Sequence, residues 1–249
     1  MTKCDDRGHL TASRAMRGVT VLLLAGLVSA CSSTGGSTTA GGDGEDITLA
    51  DFDTAFADAQ GRVPTSDMRG SGAATYTGAV QMDLVDQSSA PVGAVIGDLS
   101  LSVDFDQNLQ LGQPDNFQNA AVTGTISNIT GQTTSGDTID WSGDLTTDNG
   151  LSTSIVAIVT TTFPAPGVGE VTTRTGSLGA YFGGPVSVTS DQLTYEGDAY
   201  VVLSGSFTGS GGTGVWGQSQ GFLTPDGAPS ANNILAEFSG QGGFVASEQ

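Results

Sequence analysis

Beyond its first 30 residues the sequence has no histidine and no lysine, and its one cysteine is Cys31. Each absence removes a class of chemistry. Without histidine there is no Ser-His-Asp relay and no imidazole metal site. With one cysteine there is no disulfide framework, and without lysine there is no Schiff base and no phosphate-loop lysine. What survives is carboxylate chemistry, such as two acids acting on a glycosidic bond. The expectation is a protein that is not an enzyme, with no catalytic residue, no metal ligand and no cofactor assigned.

Charge of one sign is scarce as well. The chain carries 7 basic residues against 26 acidic ones, a formal charge of −19, which argues against nucleic acid as a partner. Charged residues make up only 13%, and 38 of the 249 residues are glycine, about twice the usual share of roughly 7%. A helical bundle is therefore excluded, since glycine weakens helix interiors and the usual Lys/Glu/Arg surface is missing. The 37% apolar content and ten phenylalanines still suffice for a core. The acidity reads first as the well-solvated surface of a protein exported into a saline medium, and second as a bias toward cationic partners.

The amino-terminal segment has the form of an export signal. Arg14 and Arg17 precede the apolar run from Val19 to Val28, which is too short to stay in a bilayer as a spanning helix. The run ends Val28-Ser29-Ala30-Cys31, which resembles the lipobox of bacterial lipoproteins, with Cys31 as the residue to be acylated. A start at Met16 would give a compact leader. Removal of residues 1–30 takes Lys3, Arg7, Arg14 and Arg17 and also Asp5 and Asp6, leaving Arg62, Arg69 and Arg174 against 24 acids. Ser32 and Ser33 follow the cysteine where inner-membrane retention would ask for aspartate, which implies an outer-membrane address.

Residues 31–47 are rich in Gly, Ser and Thr and read as a flexible tether. An amphipathic helix is expected over 48–64. Thr48 would cap it, with Asp51 three residues on, and Leu49, Phe52, Phe56 and Ala59 would share one face. From Gly70 the hydrophobic period changes to two. Ten candidate strands follow, at 73–84, 94–105, 120–130, 137–147, 151–163, 168–180, 185–195, 199–208, 213–223 and 234–246. Turn chemistry at Asp-Asn-Gly, Glu-Gly-Asp and Pro-Asp-Gly separates several of them. The expected fold is all-β: a single antiparallel β-barrel of about eight strands over 70–249, with a short N-terminal helix. Four tyrosines and two tryptophans are too few for the aromatic girdles of a membrane-spanning barrel.

Several constellations have residues of the kinds that build sites. Asp104-x-Asp106-x-Asn108 opens like a calcium loop, but Leu109 stands where glycine is needed and Asp115 where glutamate is. Asp137, Asp140, Asp144 and Asp148 flank Trp141, an arrangement found at sugar sites, although Trp141 serves equally as a barrel plug. A haem held without histidine would need a tyrosine ligand, from Tyr76, Tyr181, Tyr195 or Tyr200.

The stretch Gly205-Ser-Phe207-Thr-Gly209-Ser-Gly-Gly-Thr-Gly-Val215-Trp-Gly217 resembles the late hairpin of the transferrin-binding protein B-like lipoproteins and the related factor H-binding-protein-like barrels. Phe207, Gly209, Val215 and Gly217 keep that hairpin's spacing, while its Pro-x-Ala-x-Glu interior is absent. The segments SGAATYTGAV (71–80), LSLSVDF and AVTGTISN are similar to the same family's opening strands. The resemblance implies a lipid-anchored, solute- or protein-binding barrel at the outer membrane, which holds a host protein or an iron carrier through variable loops. It carries over no ligand-binding residue.

Overall fold

The structure, a computed structural model, describes residues 48–86, 88–107, 121–150, 152–191, 194–225 and 238–249. The leader, Cys31, the tether and the Asn108, Leu109 and Asp115 positions of the calcium-like motif lie outside these residues. Among the described residues no helix is long and apolar enough to cross a membrane.

Helix α1 covers Leu49–Gln60. Thr48 caps it as expected: its hydroxyl accepts from the Asp51 N–H at 3.3 Å, and the Asp51 carboxylate accepts from the Thr48 N–H at 3.4 Å. The helix ends at Gln60, capped by Gly61, four residues short of the expected boundary at 64. Pro64 has left the helix and bridges to Thr208 in extended form.

Among the described residues ten strands follow: β1 (Ala73–Asp86), β2 (Pro91–Asp104), β3 (Val122–Thr133), β4 (Thr138–Ser142), β5 (Leu145–Thr146), β6 (Ile155–Ala165), β7 (Gly169–Thr189), β8 (Thr194–Thr208), β9 (Gly214–Pro225) and β10 (Phe238–Glu248). All pair antiparallel in one sheet. The order β1-β2-β3-β4-β7-β8-β9-β10 returns to β1, so eight strands close a barrel-like ring. β5 supplements the β3–β7 seam, and among the described residues β6 pairs with β7 alone. Closure satisfies both edges of each ring strand, which an open sheet of this length would leave exposed. A bulge in β3 helps it curve: the register against β2 shifts between Ile96 and Asp98, and Asn128 there has φ 51°. Its side-chain amide donates to Asp98 at 2.8 Å.

Two expected boundaries are corrected. The expected strands 168–180 and 185–195 do not exist as such: β7 runs unbroken through Gly183-Gly184-Pro185 to Thr189, and the next strand begins at Thr194. Glu196-Gly197-Asp198, read as a turn, lies inside β8 and pairs with Pro185-Val186-Ser187.

Alternation along the strands places two apolar layers. Inside the ring, Tyr76, Leu101, Phe105, Ile126, Phe182, Leu203, Phe207 and Phe244 are fully buried in one cluster. Outside it, α1 lies on β1, β9 and β10, where Phe52 and Ala59 pack on Ala79, Ile96 and Val245. Phe56 stacks on Phe52 at 5.5 Å and meets the edge of Trp216 at 5.9 Å.

Candidate functional site

The two ends of the ring are built differently. One end carries the β1–β2, β3–β4 and β7–β8 turns. There the short β4 puts Ile139 and Trp141 on the inner face and Asp140 on the outer one. Trp141 borders a shallow recess with room for about one water molecule, with Met82, Leu84, Ala199, Val201 and Leu223 among its lining. Among the described residues the Trp141 Nε1–H is buried without a hydrogen-bond partner. The recess is therefore an apolar floor with one unmet donor, and no carboxylate lines it.

The acids expected around Trp141 do not converge on it. Asp137 closes its own turn, accepting from the Ser135 hydroxyl at 2.6 Å while its N–H donates to Thr133 Oγ1 at 3.0 Å. Asp140 faces the other side of β4, and Asp144 and Asp148 are exposed beyond it. The tyrosines are equally dispersed. Tyr76 is buried near one end of the ring and donates to the Gly212 carbonyl at 2.7 Å, and burial pushes its hydroxyl well above the usual tyrosine value. Tyr195 plugs the other end, with its hydroxyl donating to the carbonyls of Thr224 and Asp198. Tyr200 stacks on Phe222 at 5.5 Å on the outer face, where burial raises it too, and Tyr181 stands elsewhere on β7. Asp104 accepts from the Asp106 N–H at 3.0 Å and from Gln107 Nε2 at 2.7 Å, so its carboxylate caps a strand-end turn. Among the described residues no group of three or more His, Cys, Asp or Glu is placed to hold a metal ion.

The opposite end is shut by a clasp that sequence reasoning missed. The segment joining α1 to β1 crosses it: the Thr65 N–H donates to the Phe207 carbonyl at 3.0 Å, and the Met68 N–H to the Arg174 carbonyl at 3.0 Å. Met68 is fully buried beneath. Asp67 accepts from the Ser210 hydroxyl at 2.7 Å, the Gly211 N–H at 2.9 Å and the Thr65 hydroxyl at 2.8 Å. Those donors hold its carboxyl down at about 2. Arg69 makes a two-pronged ion pair with Glu248, donates through Nε to the Gly211 carbonyl at 2.9 Å, and lies 5.4 Å from the Phe105 ring centroid. The available signal was that two of the three arginines left beyond the leader, Arg62 and Arg69, stand within eight residues of each other between helix and first strand.

The hairpin singled out by motif borders this clasp. Phe207 stands next to the end of β8 and packs on Tyr76 at 5.7 Å and on Phe105 at 5.8 Å. Gly209 turns the chain at φ 75°, and Val215 is buried. Gly217 passes so close to β8 that a Cβ would sit 2.1 Å from the Ser204 carbonyl oxygen. Their arrangement is that of an aromatic anchor beside a tight turn, and its immediate role is to build the ring's end. Comparison with family models, curated proteins and solved structures finds no match for this chain.

Proposed function

We propose that the protein is a bacterial lipoprotein, acylated at Cys31 and held at the outer membrane, that acts as a non-enzymatic binding module. The observation that carries this reading is the solid interior. Tyr76, Phe105, Phe207 and Phe244 occupy the space that a haem or iron carrier would need, and the clasp covers one end. Recognition is then left to the rim, the connecting turns and the shallow recess beside Trp141. A protein partner fits such a surface better than an enclosed small solute does. The likeness of the 205–217 hairpin to transferrin-binding protein B-like barrels belongs to the same proposal, as does the dispersal of the acids away from Trp141, which gives glycan chemistry no paired carboxylates.

External protease applied to intact cells tests the reading, with broken cells as the control. Loss of the domain from intact cells supports a surface-exposed binding module. Survival until the cells are broken overturns that placement and favours an envelope role facing the periplasm. In parallel, Cys31→Ser should move the protein from the membrane fraction to the soluble one. Retention of that variant in the membrane would overturn acylation as the anchor.

A further inference from the structure

We propose that β6 is an assembly edge, along which two copies of this chain join their sheets in antiparallel, two-fold pairing. β6 pairs with β7 on one side, and among the described residues no strand pairs with its other side. The free groups are identifiable. Arg174, the β7 partner of Thr160, spends its own N–H on the Ser66 carbonyl at 2.8 Å and its carbonyl on the Met68 N–H at 3.0 Å, on the side away from β6. By antiparallel alternation, Thr160 turns its N–H and C=O away from β7, and so do Ile158 and Thr162. Pro164 follows in the same series, a residue tolerated at an edge because it has no N–H to lose.

Three observations make a second copy the fitting occupant. Four large apolar side chains are exposed among the described residues, and three of them, Val159 at 39%, Phe163 at 44% and Val168 at 77%, belong to the β6–β7 hairpin. The edge is also self-complementary. A two-fold axis at Thr161 sets Thr160 against Thr162 of the other copy and brings Phe163 opposite Val159, so both exposed side chains are covered at once. Finally, no charged residue occurs between Asp148 and Glu170 in a chain of net charge −19. Two such chains repel everywhere except along an uncharged seam, whereas a cationic partner would find nothing to hold there. Of the usual guards of an edge strand β6 carries only Pro164, next to its end, and has neither a lysine nor an inward charge.

The test is sedimentation of the full chain carrying Cys4→Ser and Cys31→Ser, which is neither acylated nor able to cross-link elsewhere. The expected result is a monomer–dimer equilibrium that tightens as salt is raised, because screening removes the repulsion. Thr160→Pro deletes one free-edge donor without touching the β7 ladder, and Phe163→Glu buries a carboxylate opposite Val159. Each should weaken the dimer by about tenfold or more, since a two-fold seam suffers every change twice. In the same background Thr161→Cys should form a disulfide dimer in air. Cα atoms across such a pair lie about 4.5 Å apart, and Thr172→Cys on β7 should give far less. A monomer at every concentration and salt overturns the proposal. So does a dimer indifferent to both Thr160→Pro and Phe163→Glu, or a Thr161→Cys yield no higher than that of Thr172→Cys. A chain that stays monomeric alone but adds a strand only from a different protein overturns it as well.

Discussion

Arg69 and Glu248, 179 residues apart, meet in a two-pronged ion pair that ties the crossing segment to the end of the last strand. Both side chains are about three-quarters covered, at 27% and 23% exposure, so water screens the pair less than it would a surface bridge. The guanidinium also serves the Gly211 carbonyl and the Phe105 face, which makes it a hub. Arg69→Met should therefore cost about 2–3 kcal/mol in urea unfolding. Arg69→Lys should recover less than half of that, because an ammonium cannot reproduce the fork. If Arg69→Met cost no more than about 0.5 kcal/mol, the clasp would be ornamental to folding.

That clasp also sets a pH dependence. Asp67 titrates at about 2 in the folded chain against an ordinary 3.8, so its contribution is complete above 3.8 and is lost as pH falls toward 2. Asp86, lowered by the Ser88 hydroxyl and the Ala90 N–H in the β1–β2 turn, acts in the same direction. Tyr76 works on the alkaline side. Burial raises its folded value above the ordinary 10.0, so its contribution is present below that pH and fades as pH climbs past it. Asp67→Asn should flatten the acid limb of a stability–pH curve, and Tyr76→Phe the alkaline limb. An unchanged acid limb in Asp67→Asn would remove Asp67 from the account.

The helix should prove a seated lid on the ring's outer wall. Gly243 of β10 lies directly under Phe56, and a Cβ there would stand 2.6 Å from its ring carbons. Gly243→Ala should therefore lift Phe56 off Trp216 and cost about 1–3 kcal/mol, the usual range for overpacking. Near-ultraviolet circular dichroism reports the loss, since the edge-on Phe56–Trp216 contact at 5.9 Å would be broken. Gly243→Ala combined with Phe56→Ala should regain part of the stability lost by the single change. Failure to regain any would mean that Phe56 is not what Gly243 accommodates.

Elements governed by neighbouring residues were legible in the sequence, and those governed by remote contacts were not. The Thr48–Asp51 capping box and the face formed by Phe52, Phe56 and Ala59 follow from local spacing, and the structure has both. Alternation in 99–105 and 121–126 likewise placed Leu99, Leu101, Val103, Val122 and Ile126 inside. The unbroken course of β7 was hidden because Gly183-Gly184-Pro185 has turn chemistry. In the sheet, Gly183 lets the Asn149 carbonyl approach to 2.1 Å of where a Cβ would be. Pro185 stands opposite the gap between β4 and β5, where no ladder partner asks for its N–H. Neither fact can be read without knowing that 145–149 folds back onto 183. The clasp was hidden for the same reason, since Asp67 and Arg69 find their partners at 210–211 and 248.

Trp141 carries a buried polar atom that no group among the described residues satisfies. A buried indole N–H without a partner costs about 1–3 kcal/mol, so the folded ring is the more stable without it. Trp141→Phe keeps most of the apolar contact with Met82, Leu84 and Leu223 and removes the orphaned donor. It should leave stability within about 1 kcal/mol of the parent or raise it, whereas Trp141→Ala should lose about 3–5 kcal/mol by opening a cavity. In a Trp216→Phe background the remaining Trp141 emission should be blue-shifted, as befits an indole without a polar partner. A Trp141→Phe variant that loses more than about 2 kcal/mol would mean that the N–H is already satisfied and that Trp141 is a plug. Preserved stability would mean that the N–H is an unmet donor and that the ring's apolar surface alone holds Trp141 in place.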